Sequence, residues 1–182
     1  MKTVNIYTDG ACSGNQNDIN LGGWGAVLEY GPHSKSIFGG EKNTTNNRME
    51  MMALIEALDS LTEKKMVLNI FSDSAYLIDC FKKKWYLNWK SNGWQTSGKK
   101  PVENKDLWVR LLCQVEKYPF IRFHRIKGHL NPNKKEQLDK WYEKFKLWNG
   151  NDFSYETYLH VVDMNNEADA LANKGVDSLS EL

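Results

Sequence analysis

Four carboxylates of this 182-residue chain stand at positions that could build a reactive site. Asp9 and Asp73 each follow an alternating apolar run, so each is expected at the carboxyl end of a strand. Glu50 and Asp169 fall on the apolar faces of predicted helices, where an unpaired charge would be costly. Because open α/β sheets collect their functional groups at the carboxyl ends of strands, we expect these acids to converge there.

The chemistry open to such a cluster is that of hard metal ions. Like charges at close range repel strongly unless cations neutralise them. Oxygen ligands favour Mg²⁺ or Mn²⁺ over zinc, and the three cysteines of the chain include no Cys-x-x-Cys pair. Two such ions can activate a water molecule and stabilise the leaving oxygen of a phosphodiester.

Each acid also has a structural interpretation, and spacing alone leaves both open. Asp9 precedes a glycine and suits an Asp-Gly turn, whereas Asp73 suits the N-cap of the helix that follows it. Glu50 stands three residues after Asn47, which is the spacing of an N-terminal capping interaction. Asn46 and Asn47 could themselves cap that helix.

The elements that must position these acids show as changes of period along the chain. Apolar alternation predicts strands at 4–8, 24–30, 35–38, 67–72 and 120–126, with a hairpin turn at 31–34. Helical spacing predicts a helix that begins near 46–47, a second from about 75, and two more at 106–115 and 166–174. Gly175 is the expected C-cap of the last helix. A meander followed by strand–helix alternation predicts an α/β fold, a mixed sheet with helices on both faces.

Composition bounds the class of protein. With 41% apolar and 26% charged residues, the chain fits one domain over 1–182. The apolar runs are too short for a membrane span, and the N-terminus has no signal-peptide pattern. Three scattered cysteines favour a reducing compartment over a disulfide framework, so we expect a cytoplasmic protein.

One segment concentrates positive charge although the formal net charge is only +1. Residues 82–100 contain six lysines and no acid, leaving 18 basic residues against all 23 acidic ones elsewhere. Four aromatic residues are interleaved with these lysines, a combination that suits a nucleic-acid backbone. A solvated helix with tryptophans in the core is an equally good interpretation.

Seven motifs, read together, resemble type 1 ribonuclease H of the bacterial type. They follow in order along nearly the whole chain: Tyr7–Asn15, Gly22–Ala26, Thr44–Glu50, Ser72–Ser74, Gly93–Trp108, Lys127–His129 and Asn166–Ala172. The resemblance implies a five-stranded mixed sheet and a monomeric, metal-dependent endonuclease. Such an enzyme hydrolyses the RNA strand of RNA–DNA hybrids and leaves 5′-phosphate and 3′-hydroxyl ends.

The resemblance also implies residue roles. Asp9, Glu50, Asp73 and Asp169 match the four metal-binding carboxylates, which take two Mg²⁺ ions with substrate and accept Mn²⁺ as a substitute. His129 matches a residue that assists proton movement or product departure. Without the resemblance, a lone histidine after Lys-Gly fits a plain loop.

The substrate-binding residues follow from the same match. Residues 82–104 look like a basic protrusion that binds the DNA strand through six lysines and two tryptophans: Lys82, Lys83, Lys84, Lys90, Lys99, Lys100, Trp85 and Trp94. Asn15, Thr45 and Asn104 match a pocket for a DNA phosphate, and Asn46 and Asn47 match residues that reach the minor groove. Relatives often carry a glutamine where this chain has Ala75, so one minor-groove contact is expected to be missing.

The largest departure from the family lies between His129 and Asp169, which relatives join by a short loop. Residues 131–164 intervene here and contain seven aromatic residues at helical spacing. We expect a helical hairpin or a lengthened final helix, buried on its aromatic face. The insert is either structural, or it contacts substrate or positions His129 through five lysines: Lys134, Lys135, Lys140, Lys144 and Lys146.

Two alternative functions remain open. A catalytically silent module of the same fold would bind hybrids without cutting them, and the complete carboxylate set speaks against it. Another nuclease of this fold would cut DNA, and the basic protrusion with the Thr44–Glu50 motif favours hybrids instead.

Overall fold

A computed structural model describes residues 1–14 and 19–180, so Asn15 of the predicted phosphate pocket lies outside the described residues. The strands are β1 (Lys2–Ser13), β2 (Leu21–Tyr30), β3 (His33–Lys42), β4 (Met66–Ser72) and β5 (Phe120–Arg125). They form one sheet in the order β3-β2-β1-β4-β5. The first three strands are an antiparallel meander, and β1, β4 and β5 run parallel. This confirms the predicted five-stranded mixed sheet.

Helices cover both faces of the sheet. In the described part of the chain they are α1 (Asn46–Asp59), α2 (Ala75–Lys82), α3 (Trp85–Ser91), α4 (Lys105–Val115), α5 (Lys135–Asn149) and α6 (Tyr155–Ser180). Side chains of a strand alternate between faces. Ile6 and Ile70 therefore pack into a core with α1, α2 and α4, while Tyr7 and Phe71 pack into a second core with α5 and α6. No helix within 1–14 or 19–180 combines the length and the apolar character needed to cross a membrane.

The first strand is longer than the apolar pattern predicts, and Asp9 does not end it. β1 passes through Asp9 and Gly10 without turning and pairs with β2 as far as Ser13. Its parallel pairing with β4 stops at Thr8, one residue before Asp9. The prediction that Asp9 ends the strand is therefore wrong, and the alternative of an Asp-Gly turn is excluded. The apolar alternation ends where the β1–β4 pairing ends, while the β1–β2 pairing continues.

The predicted end of the last helix is also wrong. α6 continues through Gly175 to Ser180, and Gly175 is buried. A Cβ at Gly175 would lie 2.0 Å from the backbone oxygen of Gly39 in β3. This glycine marks close contact between helix and sheet rather than a helix end.

The segment at 131–164 forms both structures that its aromatic spacing allowed, a separate helix α5 and a lengthened start of α6. Phe145 of α5 and Tyr158 of α6 are fully buried in the second core. The Tyr158 hydroxyl donates to the carbonyl of Leu138 at 2.9 Å, which ties the two helices together. The predicted burial of the aromatic face is confirmed.

Candidate active site

Three of the four predicted carboxylates meet where β1 and β4 separate. Asp9 lies directly after the β1–β4 pairing, Asp73 directly follows β4, and Glu50 lies in the second turn of α1. One carboxylate oxygen of each lies within 4.8 Å of the others. Asp9 and Glu50 are only 2% and 7% exposed, so this is a buried acidic cluster.

The fourth carboxylate and the predicted histidine line the same cleft. Asp169 of α6 is 25% exposed, and its Oδ2 lies 3.6 Å from Nδ1 of His129. The His129 side chain is 71% exposed, and its backbone adopts a left-handed φ of 60°. The structure therefore brings all five predicted residues to one cleft despite the insert between the last two.

Two glycines allow the cluster to close. A Cβ at Gly10 would lie 2.5 Å from the backbone nitrogen of Glu50, and a Cβ at Gly128 would lie 2.1 Å from Oδ2 of Asp73. Any side chain at either position would separate the elements that carry the acids. Both glycines fall inside motifs already recognised in the sequence, but their role as spacers comes from the structure alone.

Burial and mutual repulsion disfavour the ionised forms of the cluster. Burial raises the pKa of Asp9 to about 8, and the neighbouring charge of Asp73 adds to the rise. Burial likewise raises the pKa of Glu50, with a further contribution from Asp9. The pKa of Asp73 is raised chiefly by burial and also by Asp169. A nearby cation would reverse this preference by favouring the carboxylates.

Two oxygens of the cluster are buried without a hydrogen-bond partner among the described residues, Oδ2 of Asp9 and Oε2 of Glu50. The other oxygen of Asp9 accepts the backbone N–H of Gly10 at 2.9 Å. Folded proteins rarely leave buried oxygens unpaired. Carboxylate oxygens are the ligands that Mg²⁺ and Mn²⁺ prefer, so the donor set fits a hard divalent ion.

Neighbouring residues resolve the capping alternatives for these acids. Thr45, not Asn46 or Asn47, caps α1, since its Oγ1 accepts the backbone N–H three residues later at 3.2 Å. Ser74, not Asp73, caps α2 in the same way at 3.1 Å. The capping alternatives are therefore excluded, because a hydroxyl residue directly precedes each helix and caps it in place of the acid or the asparagines.

Arg48 connects two residues of the predicted phosphate pocket. Its backbone N–H donates to Thr45, and its Nη1 donates to Oδ1 of Asn104 at 3.4 Å. Both Nη atoms also bind the carboxylate of Asp106, at 2.9 and 2.8 Å. Arg48 lies inside the Thr44–Glu50 motif, but nothing in the sequence marks it as a residue of this pocket.

The cleft also contains residues outside the predicted set. Asn46 and Asn47 line it as expected for residues that reach a groove, and so does Ala75. Six further residues complete the lining, and no motif singled them out individually: Gly10, Ala11, Cys12, Ser74, Tyr76 and Asn173. Only their place around the acids identifies them.

The predicted protrusion at 82–104 consists of the last residue of α2, helix α3 and the loops on either side of α3. Its tryptophans Trp85 and Trp94 are half-buried and pack against the first core. Six lysines are exposed as predicted: Lys82, Lys83, Lys84, Lys90, Lys99 and Lys100. The segment therefore has the packed aromatic base and the solvated basic surface of the structural interpretation, and its binding to nucleic acid stays a prediction.

Half of these lysines have protein partners. Lys82 donates to the carbonyl of Trp148 in α5 at 2.7 Å. Lys83 lies 3.7 Å from a carboxylate oxygen of Asp79, and Lys90 pairs with Glu116. Among the residues that the structure describes, no carboxylate lies within 4.0 Å of the remaining three: Lys84, Lys99 and Lys100.

The fold and the acidic cleft define an α/β protein with a candidate metal-dependent active site. A family model described as RNase H matches residues 1–144. Ribonuclease H of Acetivibrio thermocellus is 50% identical over 142 residues, which cover 77% of this chain and 92% of that protein. The chain belongs to the ribonuclease H family, and it is an enzyme of the endoribonuclease class.

Solved structures agree on the fold. LC9-RNase H1, described as a type 1 RNase H with the type 2 active-site motif, has a TM-score of 0.62 at 24% identity, covering 92% of this chain and 84% of that chain. LC11-RNase H1, solved in complex with RNA/DNA hybrid, has a TM-score of 0.54 at 21% identity, and the match covers 97% of this chain and 98% of that chain.

Proposed function

We propose that this protein hydrolyses the RNA strand of RNA–DNA hybrids with two divalent ions, Mg²⁺ or in its place Mn²⁺, leaving 5′-phosphate and 3′-hydroxyl ends. The observation that carries the proposal is the acidic cluster of Asp9, Glu50 and Asp73, in which two buried oxygens have no hydrogen-bond partner among the described residues, in a chain of the ribonuclease H family. When bound, the ions would supply a nucleophilic water and neutralise charge on the leaving oxygen.

The residues of the chain divide the remaining tasks. A carboxylate oxygen of Asp9 lies within 4.8 Å of one from Glu50 and one from Asp73, so Asp9 would ligate both ions. Glu50 would also accept a hydrogen bond from the ribose 2′-hydroxyl that distinguishes RNA from DNA. Asp169 would complete the ligand set. His129 is exposed beside Asp169, so its imidazole can move a proton between the cleft and solvent.

Hybrid recognition would use surfaces on either side of the cleft. The exposed lysines of residues 82–104 would neutralise phosphates of the DNA strand. Thr45 and Asn104, together with Asn15, would hold another DNA phosphate, and Asn46 and Asn47 would reach the minor groove. The hybrid bound by LC11-RNase H1 supports this substrate, and we expect a monomer to suffice.

Three end-labelled duplexes of one sequence, RNA–DNA, RNA–RNA and DNA–DNA, test the proposal with Mg²⁺ or EDTA. We expect cutting of the hybrid's RNA strand alone, only with metal, and loss of cutting in Asp9→Asn. Asp177→Asn, a surface acid of the same helix as Asp169, is the matched control and should retain full activity. Binding without cutting would identify a silent module, and cutting of the DNA duplex would identify a different nuclease.

A further inference from the structure

Helix α5 segregates its charges. At 3.6 residues per turn, its three acids, Glu136, Asp139 and Glu143, share one face. Two lysines neutralise that face: Lys135 lies 2.7 Å from Asp139, and Lys146 lies 3.1 Å from Glu143. Two of the three acids of this side are therefore paired within the helix, and Glu136 is exposed without an ion pair among the described residues.

The opposite face of α5 is basic and aromatic. Trp141 and Trp148 are seven residues apart, and their ring centroids lie 6.2 Å from each other. Lys144 lies next to this face, whereas Lys140 lies between it and the acidic face and reaches the indoles only through its long side chain; both lysines are exposed. In the part of the chain that the structure describes, neither lysine has a carboxylate within 4.0 Å.

Cations from neighbouring elements lie over the same two indoles. Nζ of Lys127 is 5.2 Å from the ring centroid of Trp141, and Lys140 lies over that ring at 5.5 Å. The guanidinium of Arg125 lies 4.2 Å from the centroid of Trp148. We call this surface the α5 strip; it consists of Arg125, Lys127, Lys140, Trp141, Lys144 and Trp148.

The α5 strip is rigidly held. The side chain of Asn149 accepts the backbone N–H of Arg125 at 2.9 Å and donates to its carbonyl at 2.8 Å. Lys82 donates to the carbonyl of Trp148 at 2.7 Å, which joins the strip to the start of the basic protrusion. A surface ordered in advance loses little entropy on binding.

The strip begins at the catalytic loop. Lys127 is followed by Gly128, which packs against Asp73, and by His129, which faces Asp169. A strand extended from the carboxylate cluster along this loop would meet Lys127 and Trp141 next. Flat rings with unpaired cations fit phosphates and unstacked bases, and single-stranded nucleic acid offers both.

We propose that the α5 strip binds the RNA strand of the substrate beyond the cut site, as single-stranded RNA continuing from the hybrid. This inference rests on the proposed function for the identity of the strand. Lysines would neutralise its phosphates, and Trp141 and Trp148 would stack on its bases. The acidic face of α5 would stay in solvent.

Two double variants of one helix provide a matched comparison. Lys140→Ala/Lys144→Ala removes two cations from the strip, and Lys135→Ala/Lys146→Ala removes two from the acidic face. Both are made in the Asp9→Asn background with Mg²⁺. Anisotropy then measures Kd against salt for a blunt hybrid and for the same hybrid with a single-stranded RNA or DNA extension at either end.

We expect an RNA extension to tighten binding at one end, and the strip variant to lose that gain. Two lost phosphate contacts should flatten the dependence of log Kd on log salt by about 1.4. Trp141→Ala should lose the gain as well, and Trp141→Phe should recover part of it through its ring. With Asp9 intact, kcat on saturating blunt hybrid should be unchanged in the strip variant.

Three outcomes would overturn the inference: no gain from an RNA extension, a gain only from a DNA extension, or equal losses in the two double variants. Failure of the proposed function is scored separately, since it would show as absent cleavage of blunt hybrid by the unsubstituted protein. Binding to the strip is measured without cleavage and does not depend on that result.

Discussion

Removing one charge from the acidic cluster should stabilise the protein while it abolishes activity. In Asp9→Asn the substituted side chain keeps its size but no longer titrates. The folded protein then avoids the alternative that Asp9 imposes, which is to bury a charge beside Asp73 or to take up a proton that keeps the carboxyl neutral. We therefore expect the variant to unfold at higher urea concentration than the unsubstituted protein when EDTA removes divalent ions.

The pKa of Asp9 determines how much stability the Asp9→Asn variant should gain. With a folded pKa of about 8 and an unfolded value of 3.8, the carboxyl binds a proton at neutral pH only in the folded state. Taking up that proton at pH 7 costs about 4 kcal/mol, at about 1.4 kcal/mol per pH unit. Because the three acids titrate together, we expect a gain of about 2 to 4 kcal/mol. That corresponds to a Tm increase of about 4 to 16 °C.

The pH dependence gives the sign of the effect. A folded pKa raised above the unfolded one stabilises the fold at low pH, and this contribution is lost as pH rises to about 8. The difference in the free energy of unfolding between Asp9→Asn and the unsubstituted protein should therefore increase from about pH 5 to about pH 8. Mg²⁺ should raise the stability of the unsubstituted protein more than that of the variant, because the ion binds the folded carboxylates.

Urea unfolding followed by circular dichroism measures these quantities, with Asp177→Asn as the control. This exposed acid should change stability by less than about 0.5 kcal/mol. If Asp9→Asn were no more stable than the unsubstituted protein in EDTA, the argument from burial and repulsion would be refuted. Equal stabilisation of both by Mg²⁺ would place the ion elsewhere.

Two further predictions concern the second core and the helix that closes it. Gly175→Ala should destabilise the protein by about 1 to 3 kcal/mol although alanine favours helices, because its Cβ would meet Gly39; a higher urea midpoint would contradict this. Burial lowers the pKa of His124 to about 4 from 6.5, so only the unfolded state takes up a proton between these values and stability falls as pH drops through them. The loss of unfolding free energy should reach about 3 kcal/mol at low pH. His124→Phe, which keeps the aromatic stack with Phe71, should not show this loss. If the variant's urea midpoint depended on pH as steeply as that of the unsubstituted protein, His124 would not be the cause.

Sequence patterns predict the parts of this fold that depend on alternation and on helical spacing. Ile6 and Tyr7 show why, since successive side chains of a strand must enter different cores. The same patterns predict which carboxylates face the sheet. They also identify Glu50 as an acid on a buried face, where only a partner or an ion makes it tolerable.

Features that depend on contacts between distant segments could not be predicted in this way. The continuation of β1 past Asp9 depends on its pairing with β2, and the continuation of α6 past Gly175 depends on contact with β3. Gly10 suggested a turn and Gly175 a helix C-cap, but contacts with distant segments override both local interpretations. The role of α5 likewise depends on Lys127, which reaches Trp141 from another element.

Close packing of α6 against glycines of the sheet determines the position of Asp169. The family match ends at residue 144, inside α5, so Asp169 lies beyond it and beyond an insert of unusual length. A Cβ at Gly25 would lie 2.6 Å from the backbone oxygen of Ala168, and a Cβ at Gly23 would lie 1.9 Å from that of Ala172. These contacts fix the height and rotation of α6 on β2, whatever precedes the helix. The insert can therefore lengthen α6 at its start and add a surface beside the cleft without moving Asp169 away from the other acids.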